Sequence, residues 1–353
     1  MNKRAYLYVV TSAVLFGLSA PLSKLLIRDI APVALAGLLY AGAYLGLTFY
    51  TLGKRWVAPG RNGSAAAVMP LQKKDLKWLA GSILTGGIGG PICLLLGLAR
   101  ISGTSASLLL NLEGVATALI AVLVFRENAG RRVWGALGLM TCAGVFLSWD
   151  PGQGRFEIAG SLLVLAAMVC WGFDNNFTRN IADRNPILIA RIKGLVSGSV
   201  SLGLAVILGM RIPLDSTLLG ALVLGAFSYG VSLVLYIRAL ALLGAFRAGA
   251  FFSIAPFIGA LVSLAVLPEP ARWILAPGAA LMALGVFLLT GENHEHHHRH
   301  ASLVHAHAHG HRDGHHSHDH EYVPAGPHSH DHEHDEIDHV HGHWPDIHHR
   351  HEH

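Results

Sequence analysis

The side chains best able to do chemistry crowd one end of the chain. All 24 histidines lie at or after His294, and most recur at every second position. They run as His294, His296 and His298, then His305, His307, His309 and His311, then His315, His316, His318 and His320. His328, His330, His332 and His334 follow, with His339, His341 and His343 beyond them. Neutral imidazole is the commonest protein ligand for transition metals, and the acidic residues interleaved here add carboxylate oxygens. In an extended chain residues i and i+2 share a side, so each His-x-His offers two imidazoles and a neighbouring cluster completes a four-ligand shell. This donor set suits Zn²⁺, Ni²⁺ or Co²⁺, and the lack of thiols in the segment argues against Cu⁺. His294, Glu295 and His298 also spell the zinc-protease pattern HExxH. That chemistry needs a fixed helix with both histidines on one face. In a segment this rich in histidine the match follows from composition, so no enzyme is expected.

A second set of reactive groups is sparse and sits in apolar surroundings. Only Glu113 and Asp174 fall well inside hydrophobic runs. A carboxylate at the centre of a bilayer costs roughly 2.5–3.5 kcal/mol on insertion scales, so such groups usually serve transport or pair with a cation. Asn111 precedes Glu113, and Asn175 and Asn176 follow Asp174, giving each carboxylate amide neighbours that could bond it or line a wet cavity. The functional alternative is a proton or cation relay or a solute contact. The structural one is an ion pair with Arg100, Arg191, Lys193 or Arg238. Trp171, with Phe16, Phe173 and Tyr229, could floor a cavity, although aromatic rings at helical spacing mostly fill cores.

The elements that must position these groups follow from hydropathy. The 353 residues are 52% hydrophobic and only 14% charged, against roughly 25% charged for a soluble chain. Apolar stretches near 5–27, 32–52, 78–98, 103–125 and 133–149 are followed by others near 158–181, 187–210, 218–241, 245–267 and 273–290. Most approach the ~20 residues a helix needs to cross the hydrocarbon core. The expected fold is therefore all-α and polytopic, with ten transmembrane helices in the lipid bilayer. Residues 1–291 carry 23 Lys and Arg against 10 Asp and Glu, whereas the tail carries 3 against 12. The basic excess belongs to membrane loops rather than to a nucleic-acid surface, and no nucleic-acid partner is expected. With the amino terminus in the cytoplasm, 17 of those 23 cations fall on the inner side, which places both termini inside the cytoplasmic membrane. Residues 292–353 cannot build a core and are expected to be disordered without metal. The three cysteines, Cys93, Cys142 and Cys170, lie far apart in apolar runs and suggest neither a disulfide nor a metal site.

The helical part repeats itself. FGLSAPLSK from Phe16 lies over WGFDNNFTR from Trp171, and the segment ending at Glu127 lies over the one ending at Glu269. Each half holds five spans, an odd number, so the second enters the membrane from the opposite face as an inverted repeat. The division is 1–150, 151–291 and the tail, 292–353. The strings GTSASLLLNLEGVATALIAVLVFRE, CWGFDNNFTR and GAFFSIAPFIGALVSLAVLPE resemble the EamA domains of the drug/metabolite transporter superfamily. The resemblance covers residues 5–290. It implies a ten-helix inner-membrane carrier, often an exporter, with a cavity lined from both repeats. Gly114 stands where the family's Glu-Pro pair would place proline, so the fourth helix lacks that kinking residue, while Pro256 keeps it in the second repeat. On this basis the protein is expected to carry a small solute or metal ion, with a tail that gathers or senses divalent metal. An amino-acid or metabolite exporter with a regulatory tail, or a metal-buffering membrane protein, is the alternative.

Overall fold

The computed structural model describes residues 3–57, 71–124, 131–150, 155–181, 184–270 and 272–290, and in the tail 295–300, 303–309, 328–334 and 337–342. The chain divides into two compact units, a helical one formed by residues 1–59 and 69–292 and a second that contains residues 293–353.

The helical unit begins with α1 (Lys3–Gly17) and α2 (Ser19–Leu26), which form one span, and α3 (Pro32–Val57). The third expected span is composite: α4 (Leu76–Ser82), a π-helical segment (Ile83–Gly89) and α5 (Gly90–Leu98). Next come α6 (Gly103–Leu109), α7 (Leu112–Leu123) and α8 (Arg131–Ser148). A two-residue pairing of β1 (Trp149–Asp150) with β2 (Arg155–Phe156) leads into α9 (Ile158–Arg179) and α10 (Pro186–Ile207). The eighth expected span again has a π-helical centre, Gly225–Val231, between α11 (Ser216–Leu224) and α12 (Ser232–Phe252). The unit closes with α13 (Ala255–Val266) and α14 (Leu275–Thr290). Among the described residues, six helices are long and apolar enough to cross a membrane. The remaining expected spans fall on shorter or broken helices. Trp134–Leu147, Ala255–Val266 and Leu275–Leu288 are the shorter apolar ones.

Local chemistry sets several of these boundaries. Asn185 caps α10 by accepting from the amides of Ile187 and Leu188 at 3.0 and 3.2 Å, and Pro186 stands at the start, where it has no bond to lose. The fourth span breaks at Leu110–Asn111 although proline is absent there. The matching break at Ser253–Ile254 precedes Pro256. Both breaks are tightened by i→i−3 backbone bonds, from Asn111 to Leu108 and from Ile254 to Phe251, so the kink does not require the proline.

Packing pairs elements across the two halves. α3 lies on α10 and α8 on α14, while α1 packs against α12 and α13 as α9 packs against α5 and α7. Small residues permit the closest approaches. A Cβ added to Gly42 would sit 2.1 Å from the Leu222 carbonyl oxygen, so α3 and α11 touch backbone to side-chain-free backbone.

In the tail the described backbone forms short paired strands. Residues Glu295–His300 (β3) pair antiparallel with Ile337–Gly342 (β6), and Leu303–His309 (β4) with His328–His334 (β5). The physical reason is the alternation itself, since a period of two is the period of a strand. His294, His311, His315, His316, His318, His320 and His343 lie outside the described residues, as do the side chains of the other tail histidines.

Candidate functional site

Both intramembrane carboxylates are bonded across the two halves, in different ways. Asp174, on α9, is held from several directions. Its Oδ1 accepts from the Ser82 hydroxyl at 2.5 Å and from Thr178 at 3.0 Å, and its Oδ2 accepts from Lys193 Nζ at 2.5 Å. Lys193 also donates to Ser82 at 3.2 Å, which closes the network. Lys193 and Asp174 are nearly excluded from solvent, at 7% and 12% side-chain exposure. This is a buried ion pair in which each charge has hydroxyl or ammonium partners, the arrangement that makes such a pair tolerable away from water.

Glu113, on α7, has a lighter cage. Its Oε1 accepts from Asn175 Nδ2 at 2.9 Å, and the same amide donates to Thr117 Oγ1 at 3.1 Å. The Thr117 hydroxyl is anchored in turn on the Glu113 carbonyl at 2.8 Å. Asn175 and Gly114 are exposed, whereas Glu113 itself is half-buried.

The amides sort differently from their sequence neighbours. Asn175 turns to Glu113, not to the adjacent Asp174. Asn176 is buried and donates to the carbonyls of Gly172 at 2.8 Å and Thr117 at 3.2 Å, which ties α9 to α7. Asn111 does not reach Glu113. Its amide donates to the Leu108 carbonyl at 3.1 Å within the helix break, and its Oδ1 is buried without a hydrogen-bond partner among the described residues.

Trp171 is buried, and its indole donates to the Gly86 carbonyl at 3.0 Å. The Tyr40 hydroxyl donates to the same oxygen at 2.8 Å. That carbonyl belongs to the first π segment, and π-helical turns often occur at functional sites. Gly86 is required there: a Cβ would fall 1.9 Å from Asp174 Oδ2. Aromatic rings continue the wall, Phe16 standing 6.0 Å from Trp171 and 6.2 Å from Tyr229, and Tyr229 5.4 Å from Tyr40. Phe16 and Trp171 are the residues that the internal repeat superposes, so the two halves meet at equivalent positions.

Sequence reasoning offered Lys193 among four possible cationic partners and missed Ser82, Thr178 and Tyr40. Thr178 could have been found, since it follows Asp174 by four residues on one helical face. Nothing in the sequence singles out Ser82. Among the described residues no group of three or more His, Cys, Asp or Glu side chains is placed to hold a metal ion.

Comparison with known proteins agrees with the helical architecture. The EamA-like transporter family matches twice, over residues 3–149 and 158–291. An uncharacterized transporter of Methanothermobacter thermautotrophicus is 28% identical over 295 residues, covering 80% of this chain and 85% of that protein. The uncharacterized transporter YyaM of Bacillus subtilis is 26% identical over 284 residues, covering 72% of this chain and 90% of its own length. A solved crystal structure superposes with a TM-score of 0.58 over 82% of this chain and 96% of that one, at 20% identity, a likeness of fold alone. The chain belongs to the EamA-like transporter family and is a multi-pass membrane transporter; residues 292–353 lie beyond both family matches.

Proposed function

We propose that this EamA-family transporter is a secondary carrier that moves a small solute out of the cell by alternating access between two inverted halves. The observation that carries this reading is the placement of Glu113 and Asp174 where the halves meet, each bonded to a residue of the other half. Two separate family matches, the paired π segments and the exchange of packing partners between halves support ten spans arranged as a repeat. Glu113 is the coupling group, because among the described residues it has one bonded oxygen and an exposed neighbour. Asn111 Oδ1 supplies a further acceptor to a solute donor. The excess of Lys and Arg on one side argues for cytoplasmic termini in the inner membrane.

The tail binds Zn²⁺, Ni²⁺ or Co²⁺ through its His-x-His clusters and senses or gathers that metal beside the carrier. The helical unit contains no histidine, which favours an amino acid or similar metabolite over a bare transition metal as the solute. Metal as cargo, or as something merely buffered, remains distinguishable by assay. Uptake into inverted vesicles, measured across amino acids and metals for the full chain and for a chain lacking residues 292–353, tests both parts. Solute accumulation that disappears in Glu113→Gln supports the carrier. Accumulation unchanged in rate and pH dependence by that substitution overturns the role of Glu113.

A further inference from the structure

The end of the helical unit that bears Lys24 is fastened by contacts that neither the coupling site nor the family match explains. Lys24, at the end of α2, donates to the carbonyls of Leu98 at 2.5 Å and Ile101 at 2.7 Å, the free acceptors where α5 ends. Glu269, just past α13, accepts from the Gly103 amide at 2.9 Å, with the Thr104 amide at 3.5 Å, where α6 begins. One connection, residues 98–104, is thus gripped on its acceptor side by a cation and on its donor side by an anion. Each charge meets the end of a helix whose dipole it complements. The gripping residues come from α2 and the end of α13, and the gripped residues from the α5–α6 connection, so the contact fastens one end of the unit where α2, α5, α6 and α13 pack on one another. Gly103 allows close approach, since a Cβ there would lie 2.4 Å from Leu267 Cδ1. A polar pocket of about 240 Å³ lined by Lys24, Arg100, Glu157, Glu269 and Arg272 lies beside the contact. Asn175 and Gly114 are exposed, Asn175 lying toward the opposite end of α9 from Ile158.

We propose that Lys24 and Glu269 form the outer gate of the transport cycle, a clasp on residues 98–104 that keeps the site closed to the exterior while it is open to the cytoplasm. This rests on the alternating-access reading and on the cytoplasmic amino terminus. The clasp acts through helix-end groups rather than through attraction between the two side chains, and that distinction makes a sharp test. Exchanging the residues, as Lys24→Glu with Glu269→Lys, keeps one charge of each sign but sets a carboxylate against carbonyls and an ammonium against amides.

The experiment uses the full chain with Cys93, Cys142 and Cys170 changed to serine and Asn175→Cys as reporter. A membrane-impermeant maleimide is applied to either face of oriented vesicles. With the clasp intact the reporter should label mainly from the cytoplasmic face. Lys24→Met and Glu269→Gln should each raise labelling from the outer face several-fold, and the exchanged protein should be at least as open as either. Unchanged outer labelling in the single variants overturns the clasp. Closure restored by the exchange also overturns it, in favour of a simple ion pair. If Lys24→Met fails to insert, Glu269→Gln, which keeps its shape, decides alone. A reporter that labels from neither face in any protein overturns the alternating-access reading and the gate with it. Labelling from both faces without a change in the variants sinks the gate alone.

Discussion

Asp174 and Glu113 are the same kind of group carried into the same kind of helix, yet their surroundings give them opposite freedoms. Asp174 is held on both oxygens: Ser82, Thr178 and Lys193 engage it in a nearly dry pocket. Glu113 has one amide partner among the described residues and exposed neighbours. The difference teaches that burial of charge inside a membrane protein does not by itself identify a working site. A carboxylate bonded on both oxygens and paired with a cation holds helices together, and one with a single bonded oxygen can take a proton or a solute.

The largest effect is expected where the Asp174 network is broken. Lys193→Met leaves Asp174 buried without its counter-charge and should cost about 3–5 kcal/mol, the usual penalty for splitting a buried pair. Thermal unfolding in detergent checks it, and the double variant Asp174→Asn with Lys193→Met should lose less than the two single losses added. If Lys193→Met unfolds like the parent, the contrast between the two carboxylates collapses.

Gly86→Ala presses on the same network from the opposite helix, because the new methyl meets Asp174 Oδ2. Overpacking of this kind costs about 1–3 kcal/mol, read as a lowered unfolding temperature. Gly53→Ala, with nothing within 4 Å of the added Cβ, should show no such loss and serves as its control.

Glu113→Gln should barely change stability, by less than about 1 kcal/mol, because the amide oxygen still accepts from Asn175. Its effect belongs to transport, as a flattened pH dependence of solute flux in vesicles. A stability loss as large as that of Lys193→Met would make Glu113 structural too.

Asp215 gives the smallest effect and a reference outside the membrane. It is exposed and caps α11, accepting from the Thr217 hydroxyl and from the Thr217 amide at 2.9 Å. The Thr217 hydroxyl, then its amide, hold the Asp215 carboxyl below the ordinary carboxylate value. A lowered folded value contributes stability that is present above about pH 4, the unfolded value, and is lost as pH falls through the folded one. Asp215→Ala should therefore give a slightly lower unfolding temperature at neutral pH. The gap to the parent should narrow in acid.

Much of the helical unit was legible before any coordinates. Long apolar runs must be helices in lipid, since only then are their backbone groups satisfied within the segment, and described helices stand over each of the ten runs. The helix break near Asn111 was not legible, because the sequence signal for it, a proline, is missing at Gly114. Backbone bonding at Leu108 and Leu110 makes the break instead. The π segments were equally hidden, since Ile83–Gly89 and Gly225–Val231 read as ordinary apolar helix. In the tail, the two-residue period that suggested His-x-His ligands is also the pattern of strands, and the described backbone pairs accordingly.

What the sequence by itself determined is chemistry that depends on composition and local order: a membrane-spanning helical chain, two charged groups too costly to be incidental, and an appended segment rich in histidine. Tertiary structure alone decided which carboxylate is engaged. Asn175 is the neighbour of Asp174 along the chain, yet successive residues on a helix point about 100° apart, so it faces Glu113 on α7. Ser82 and Lys193 reach Asp174 from helices 92 and 19 positions away. Partners at such separations are set by how helices cross, through close contacts at glycines such as Gly86, and no local pattern encodes that crossing.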